Sequence, residues 1–443
     1  MTDVFPKQAW PTLSLREAGV SLIDCEHRTP PSSDTGLPYV AIPQIKQGRL
    51  DLSEVRRISP EHFLEWTRKA HPKPYDVVLS RRCNPGETAF VPPGLECALG
   101  QNLVLLRADG TRVIPPFLRW LVRSGEWWEQ IRRFLNVGAV FDSLKCADIP
   151  NFRLPIPPIS DQHALVNILG TLDDKFELNR QMNETLEAMA RAIFKAWFVD
   201  FEPVRAKVEG RQPFGMDAET AALFPNSFQS ASLGNIPKGW RTDVLGSICK
   251  IAIGGDWGSD DPGDDSVQVV CLRGVDLELL RRDGFSKAPV RWVKKSSLDK
   301  RILDECDVLI AASGIGPVGR PLWACSSLQG VFEHPVIYSN FCKRLRTIAP
   351  EYAVYLDRVL HNMRTSHETW EYVNGTSIPN LDANDLLSSS VLVIPPTELL
   401  KRFHGVVAPI YRKLLSPENR ILSAVRDALL PKLISGEIRV KDA

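Results

Sequence analysis

Two stretches of the chain carry helical stripes of apolar residues too long for a small domain to cover. In the first, Leu165, Leu172, Asn179, Leu186 and Ile193 recur every seven residues, with Ile168, Phe176, Met182, Met189 and Trp197 interleaved. Such a spacing describes a coiled-coil seam, on which Asn179 would be a polar register-setter. About 40 residues at ~1.5 Å each span ~60 Å, more than the width of a small domain. Ser160 is read as the N-cap of this helix, just after Pro157 and Pro158. In the second stretch Leu400, Val407, Leu414 and Ile421 fall at sevens, with Phe403, Ile410 and Val425 between them. Pro409 and Pro417 interrupt it, which predicts a kink or break within 409–417. Neither helix can bury its stripe alone, so the two are expected to pair against each other.

Each stripe follows a globular segment, and the two segments repeat one another. Tyr75-Asp76-Val77-Val78-Leu79-Ser80 reappears 231 residues on as Cys306-Asp307-Val308-Leu309-Ile310-Ala311, an Asp entering a short apolar strand. Val137-Gly138-Ala139 returns 237 residues on as Asn374-Gly375-Thr376, and Ile156-Pro157-Pro158 returns 238 residues on as Ile394-Pro395-Pro396. Matches that stay in order at so steady an offset are not chance. Strands are predicted over 38–45, 75–80 and 101–107, with a helix over 116–135, in the first segment. In the second, strands are predicted over 267–273, 306–312 and 336–341, with a helix over 351–363. The fold class is therefore α+β: two similar mixed α/β domains, 1–158 and 241–396, and two long helices, 159–202 and 397–443. The helices are expected to pair as an antiparallel coiled coil within a pseudo-two-fold internal repeat. Residues 203–240, with Pro203, Gly210, Pro213, Gly215, Pro225 and Pro237, read as a linker.

Composition fits this picture. A chain of 443 residues with 44% hydrophobic and 24% charged residues is of a size and make-up for two ordinary globular domains. The formal charge of +1 provides no bulk basic field, so any nucleic-acid contact must come from local patches. Nine cysteines lie scattered, without a CxxC pair or a Cys/His grouping at zinc spacing, as expected of reduced core cysteines. The N-terminus lacks the pattern of a secretion signal, and no run of ~18 apolar residues occurs. The expectation is a cytoplasmic protein with no membrane partner.

The helices and domain closures resemble type I restriction-modification specificity subunits. The resemblance lies in Leu154-Pro155-Ile156-Pro157-Pro158-Ile159 with the helix through Leu186-Glu187-Ala188-Met189-Ala190-Arg191-Ala192-Ile193-Phe194-Lys195. It lies also in Asn374-Gly375-Thr376-Ser377-Ile378-Pro379-Asn380-Leu381 and in Arg426-Asp427-Ala428-Leu429-Leu430-Pro431-Lys432-Leu433-Ile434-Ser435-Gly436-Glu437-Ile438. It implies that each globular half is a target-recognition domain for double-stranded DNA, and that the paired helices set the gap between two unlike half-sites. It further implies docking of two methyltransferase subunits on the helices and of restriction/translocase subunits on that core. S-adenosylmethionine, ATP and Mg²⁺ would belong to those partners, with no cofactor or metal in this chain. The same architecture would serve a methylation-only or other phage-defence complex, and a coiled-coil scaffold with protein-binding halves is the third reading. A DNA footprint separates them: a bipartite preference for a specificity subunit, none for a scaffold.

The loop after the repeated strand is the first choice for DNA contact. It offers Ser80, Arg81, Arg82 and Asn84 in one half, and Ser313, Gly314, Gly316 and Arg320 in the other. Arg suits guanine or phosphate, Asn suits adenine, and Gly lets backbone N–H groups approach a phosphate. Lys46 and Arg49 beyond the 38–45 strand, Arg273 in the equivalent place, and Asn374 and Thr376 complete the set. The basic pairs Arg56-Arg57, Arg281-Arg282 and Lys294-Lys295 read as solvated charge, and Trp120, Trp127 and Trp128 as core or partner-facing. Gly314, Gly316 and Gly319 spell GxGxxG, but Pro317 and Pro321 prevent the helix start that a dinucleotide would need. No phosphate loop, HExxH or Asn/Asp-Pro-Pro-aromatic motif occurs, and Asp173-Asp174-Lys175 reads as solvated helix charge, so no catalytic residue is assigned.

Overall fold

The computed structural model describes residues 10–46, 48–53, 55–138, 141–375 and 377–439. It divides into two compact units, one comprising residues up to Asp174 together with those from Ala424, the other Lys175–Ser423.

In the first unit a four-stranded antiparallel sheet runs in the order Val20–Asp24, Leu103–Ala108, Val77–Ser80, Thr88–Phe90. A three-stranded sheet places Leu37–Val40 between Arg56–Ile58, antiparallel, and Ala98–Leu99, parallel. Thr12–Ser14 pairs with Arg153–Pro155. The second unit has the same plan. Its four strands are Cys249–Ile251, Cys342–Thr347, Asp307–Ala311 and Pro321–Trp323. Its three-stranded sheet sets Ser266–Leu272 between Val290–Lys294, antiparallel, and Val336–Tyr338, parallel. Arg241–Val244 closes on Val391–Ile394.

The repeated Asp-led strand therefore occupies the same slot in both units. Its side chains, Val77, Val78 and Leu79 or Val308, Leu309, Ile310 and Ala311, are buried on both faces, which explains an unbroken apolar run where alternation would mark a half-exposed strand. The leading Asp needs partners because it is buried too. Asp76 accepts Lys73 N–H at 2.7 Å and two hydrogen bonds from Arg107 of the facing strand at 2.8 and 2.6 Å. Asp307 accepts Asp304 N–H at 3.0 Å, with Arg346 at 3.4 Å and Arg344 at 3.8 Å.

The helix expected over 116–135 is two helices, Pro115–Leu121 and Gly125–Phe134. Ser124 breaks it by capping the second: its hydroxyl accepts Trp127 N–H at 3.1 Å. Trp120 and Trp127 are core residues, as their helical spacing predicted.

The long helix runs Ile159–Phe194 and ends in a π-turn, Lys195–Val199. Ser160 lies inside its first turn rather than at its cap. Buried Gln162 ties the start down instead, accepting Ile114 N–H at 2.9 Å and donating to the carbonyls of Arg112 and Pro157 at 2.7 and 2.8 Å. The return stretch forms Thr397–Leu414 and Glu418–Ile434, so the break falls at Pro417 while the helix continues through Pro409. Burial of Val407, Ala408, Tyr411 and Leu414 around Pro409 offsets its cost of ~3 kcal/mol.

The buried line on the long helix is not the seven-residue stripe. Leu165 is buried and Phe176 and Ile193 pack on the core, but Leu172, Met182 and Leu186 are half-buried and Met189 is exposed. The deepest positions are Gln162, Leu165, Leu169 and Asp173 in the first unit, and Asn179, Asn183, Ala190 and Phe194 in the second. An α-helix drifts ~20° per heptad from a strict seven-residue repeat, which moves burial from Ile193 to Phe194. On the return stretch Leu400, Val407 and Leu414 are buried and Ile421 is exposed.

The middle of this line is polar. Asn179 donates to the Asn419 side-chain oxygen at 2.8 Å, and Asn419 donates to the carbonyl of Asp283 at 2.6 Å. Asn179→Leu is expected to cost about 1–3 kcal/mol in urea unfolding, because the Asn419 oxygen is left buried without its donor. An unchanged midpoint would contradict the pairing.

Residues 203–240 are folded rather than a bare tether. They form the helices Glu202–Val208 and Ala218–Ala222 and the hairpin of Phe228–Ala231 with Gly234–Pro237. Val204, Phe224, Ile236 and Trp240 share one core with Phe194, Trp197, Phe198 and Phe403.

Candidate functional site

In both units the loop after the Asp-led strand is clasped by the segment that contains the repeated glycine. In the first, Leu144 N–H donates to the Arg81 carbonyl at 2.9 Å, and Arg82 and Asn136 each bridge to Ser143. In the second, Leu381 N–H donates to the Ala312 carbonyl at 2.8 Å, Gly314 N–H to the Pro379 carbonyl at 3.1 Å, and Ser313 bridges to Asn380. In the second unit this brings together candidates more than fifty residues apart in sequence, the Ser313–Arg320 loop and, through its pairing with Asn380, Asn374; in the first, the Ser80–Asn84 loop meets Ser143 and Leu144, which were not candidates. Thr376 lies outside the described residues.

Within the first loop Ser80 is buried, its hydroxyl donating to the Arg82 carbonyl at 2.8 Å. Arg81 is half-buried, with one guanidinium nitrogen 3.4 Å from the Leu144 carbonyl and Nε unpaired among the described residues. Arg82 and Asn84 are exposed. Gly86, at φ 96°, lies where a Cβ would come within 2.8 Å of Ile131, so the loop is pressed against the helix behind it. Its carbonyl accepts the Trp127 indole N–H at 3.0 Å.

The second loop turns back into strand Pro321–Trp323 and starts no helix, consistent with rejecting a dinucleotide site. Gly316 is exposed and its carbonyl accepts Arg364 at 3.1 Å. Arg320 is half-buried, 3.8 Å from Glu278, and Asn374 is exposed. A shallow cleft of about 380 Å³ opens beside them, lined by Ile251, Lys343, Asn374, Asn380 and Asn384 among others. Lys343, Asn380 and Asn384 were not assigned as site residues from the sequence: Lys343 lies on strand Cys342–Thr347, and only folding brings it to the stretch that carries the other two.

The remaining candidates are engaged otherwise. Arg49 turns inward, donating to the Asp173 carbonyl at 3.0 Å and lying 3.5 Å from its carboxylate. Arg273 caps helix Gly274–Asp283, its backbone N–H and Nε both on Asp276 at 2.8 and 2.9 Å. Lys46 is exposed and pairs with Asp51 at 2.7 Å. Partial burial raises the Asp51 carboxyl, but Lys46 and Ser53 override it and hold the group well below the usual carboxylate range.

Two charge clusters that sequence pattern assigned to solvent are buried. Asp173 is buried with Arg426 at 3.3 Å and Arg119 at 3.9 Å in addition to Arg49. In the second unit Arg281 is buried, donating to Asp357 at 2.7 Å, to the Tyr411 hydroxyl at 3.0 Å and to Glu187 at 3.2 Å. Arg358, also buried, donates to Asp357 at 3.0 Å and to Glu187 at 2.6 Å. Burial pushes the Asp357 carboxyl up, and Arg281 and the Tyr411 hydroxyl beside it pull it back. One acid of the long helix in each unit is thus gripped by arginines from the globular part, joined in the first by Arg426 of the return helix.

Asp24, Cys25 and His27 bring three possible metal-binding atoms within 4.8 Å of one another. The Cys25 thiol, however, is buried and donates to the carbonyls of Leu103 and Gly100 at 2.8 and 3.1 Å, and burial pushes it up to about 12. A metal needs the thiolate, which this setting disfavours.

Residues 28–188 match the family model described as the type I restriction modification DNA specificity domain. The chain is 25% identical over 405 residues to the type I restriction enzyme MjaIX specificity subunit of Methanocaldococcus jannaschii, covering 87% of this chain and 83% of that one. It is 25% identical over 412 residues to the HindI specificity subunit of Haemophilus influenzae, covering 82% and 86%. Its fold resembles the solved S subunit of the type I restriction-modification system from M. genitalium, with a TM-score of 0.51 at 13% identity over 97% of each chain. By fold the protein is of mixed α/β class, built on the plan of that subunit. By sequence it is similar to type I restriction-modification specificity subunits. No helix among the described residues is long and apolar enough to cross a membrane.

Proposed function

We propose that this chain is the sequence-specific DNA-binding specificity subunit of a type I restriction-modification complex. It reads an asymmetric, two-part site in double-stranded DNA and directs methyltransferase and endonuclease subunits to it. One observation carries the reading: the same clasped loop recurs in two units of one strand plan, with different side chains. The first presents Arg82 and Asn84, groups suited to guanine and adenine edges; the second presents glycines and Asn374. Equal mounts with unequal side chains read unequal half-sites.

The long helix and the return helices act as an antiparallel coiled-coil ruler between the readers, with Asn179 and Asn419 as its register-setting pair. Support comes from inside each unit. In the first, Leu165 and Leu169 share a core with Leu430, Leu433 and Ile434; in the second, Asn179 meets Asn419 and Phe194 meets Phe403. Rising numbers on one helix meet falling numbers on the other. Exposed Met189 and Ile421 belong to the surface on which two methyltransferase subunits dock, with restriction/translocase subunits beyond them. The chain itself binds and directs; S-adenosylmethionine, ATP and Mg²⁺ act on the partners.

The test is exchange of residues 1–155 for those of a relative, followed by genome-wide mapping of methylated sites. One half of the recognition sequence is expected to change. An unchanged motif, or change in both halves, would overturn the two-reader model.

A further inference from the structure

Most large apolar side chains of the two readers are buried, yet Phe141 is 57% exposed and Ile378 is 62% exposed. Singly such exposure is ordinary. These two, however, occupy one and the same position. Each lies two residues before the residue that bridges to the loop, Ser143 to Arg82 and Asn380 to Ser313. Each also follows the repeated glycine by three residues. A Cβ on Gly138 would come 2.3 Å from the Phe141 carbonyl oxygen, and one on Gly375 would come 2.7 Å from that of Ile378. Neither glycine therefore has room for a side chain, and in both units the residue whose carbonyl fills that room is apolar.

The surroundings match as well. Exposed Val137 precedes Phe141 by four residues; exposed Ile315 follows Gly314, whose N–H donates to the Pro379 carbonyl at 3.1 Å, and the carbonyl of exposed Phe341 accepts the Ala312 N–H at 2.7 Å. The loops and strands that these segments meet carry exposed Arg82 and Asn84 in the first unit, and exposed Asn374 and half-buried Lys343 in the second. Two or three side chains are too few for a stable protein interface, which takes roughly 800 Å² from each partner. They suit a smaller target. On base edges in the major groove the thymine C5-methyl is the apolar group, and an apolar side chain cannot bind phosphate, so it specifies instead of positioning.

We infer that Phe141 and Ile378 are base-reading residues, each packing on a thymine methyl of its own half-site. The inference rests on the DNA-reading function proposed above and adds the chemistry it reads. In the test, the chain assembled with its methyltransferase subunits is titrated against a duplex bearing its mapped site, with each thymine replaced in turn by deoxyuridine. Loss of one methyl per half-site is expected to weaken binding roughly three- to five-fold, the worth of one buried methyl. Phe141→Ala should abolish that sensitivity in one half-site only, and Ile378→Ala in the other only, with thermal unfolding and subunit assembly unchanged.

A complex that binds its site without deoxyuridine sensitivity, or whose sensitivity survives both substitutions, overturns the inference while leaving the specificity-subunit reading intact. So does a half-site without an A·T pair, for the unit that reads it, or a variant that loses its partner subunits, which would mark the two side chains as protein contacts. A native complex with no preferred sequence overturns both readings together.

Discussion

Replacing Asp357 with alanine is expected to cost the chain about 3–5 kcal/mol, the usual penalty for removing one partner of a buried ion pair. Asp357 is fully buried and serves four groups: Arg281, Arg358, the Tyr411 hydroxyl and the Trp323 N–H, the last at 2.9 Å. Its loss leaves two buried guanidinium groups sharing the single carboxylate of Glu187. Asp357→Asn keeps an acceptor for the N–H and hydroxyl donors but removes the charge, and should fall between native and alanine. The measurement is the urea midpoint of the full chain at constant slope. A midpoint for the alanine variant within the error of the native one would show that the network carries no stability.

His361 sets the second large effect, a loss of stability in acid. It packs 3.7 Å from Glu187 and faces Arg281, Arg191 and Arg364. Burial, together with Arg281, brings its imidazole down from 6.5 to about 4, with Glu187 opposing. The unfolded chain therefore binds a proton at this residue between pH 6.5 and pH 4 that the folded chain does not, so folding is favoured above pH 6.5 and progressively less below it. The full loss, reached near pH 4, is up to about 3 kcal/mol. His361→Gln should remove this component, giving a shallower fall of the urea midpoint between pH 6.5 and 4. Parallel curves for the two proteins would exclude it.

What could be read in advance was local. The runs Val77–Ser80 and Asp307–Ala311 announce buried strands because every side chain in them after the leading Asp is apolar or small, and the Ile-Pro-Pro closures announce helix starts because proline fits only before or within a first turn. The loop candidates of both units came from that same repeat, and folding brings each to the glycine-bearing segment. What escaped depended on distant partners. Asp173 and Arg281 look like helix surface until arginines or acids from elsewhere cover them, and the same contact explains why Arg49 serves the helix. Arg273 is a cap because Asp276 stands three residues on, a pattern that basic character obscured. The division of 116–135 at Ser124 was masked by a continuous apolar face. The drift of the seam from Ile193 to Phe194 arises from the 3.6-residue turn, which a seven-residue template ignores. Phe141 and Ile378 were passed over because an exposed apolar residue gains meaning only when its counterpart occupies the same place in a second unit.

The short ladders that close each unit carry a consequence for descent. Thr12 pairs with Pro155 and Ser14 with Arg153, while Arg241 pairs with Ile394 and Val244 with Val391, so each globular part begins and ends on adjacent strands. The bonds that join those strands are main-chain bonds, indifferent to the side chains they carry. Two crossovers, one in each strand of such a ladder, would excise a whole domain as a cassette and insert another without moving either end. Genetic recombination can therefore rewrite one half of this protein while the helices that follow it inherit an unchanged junction.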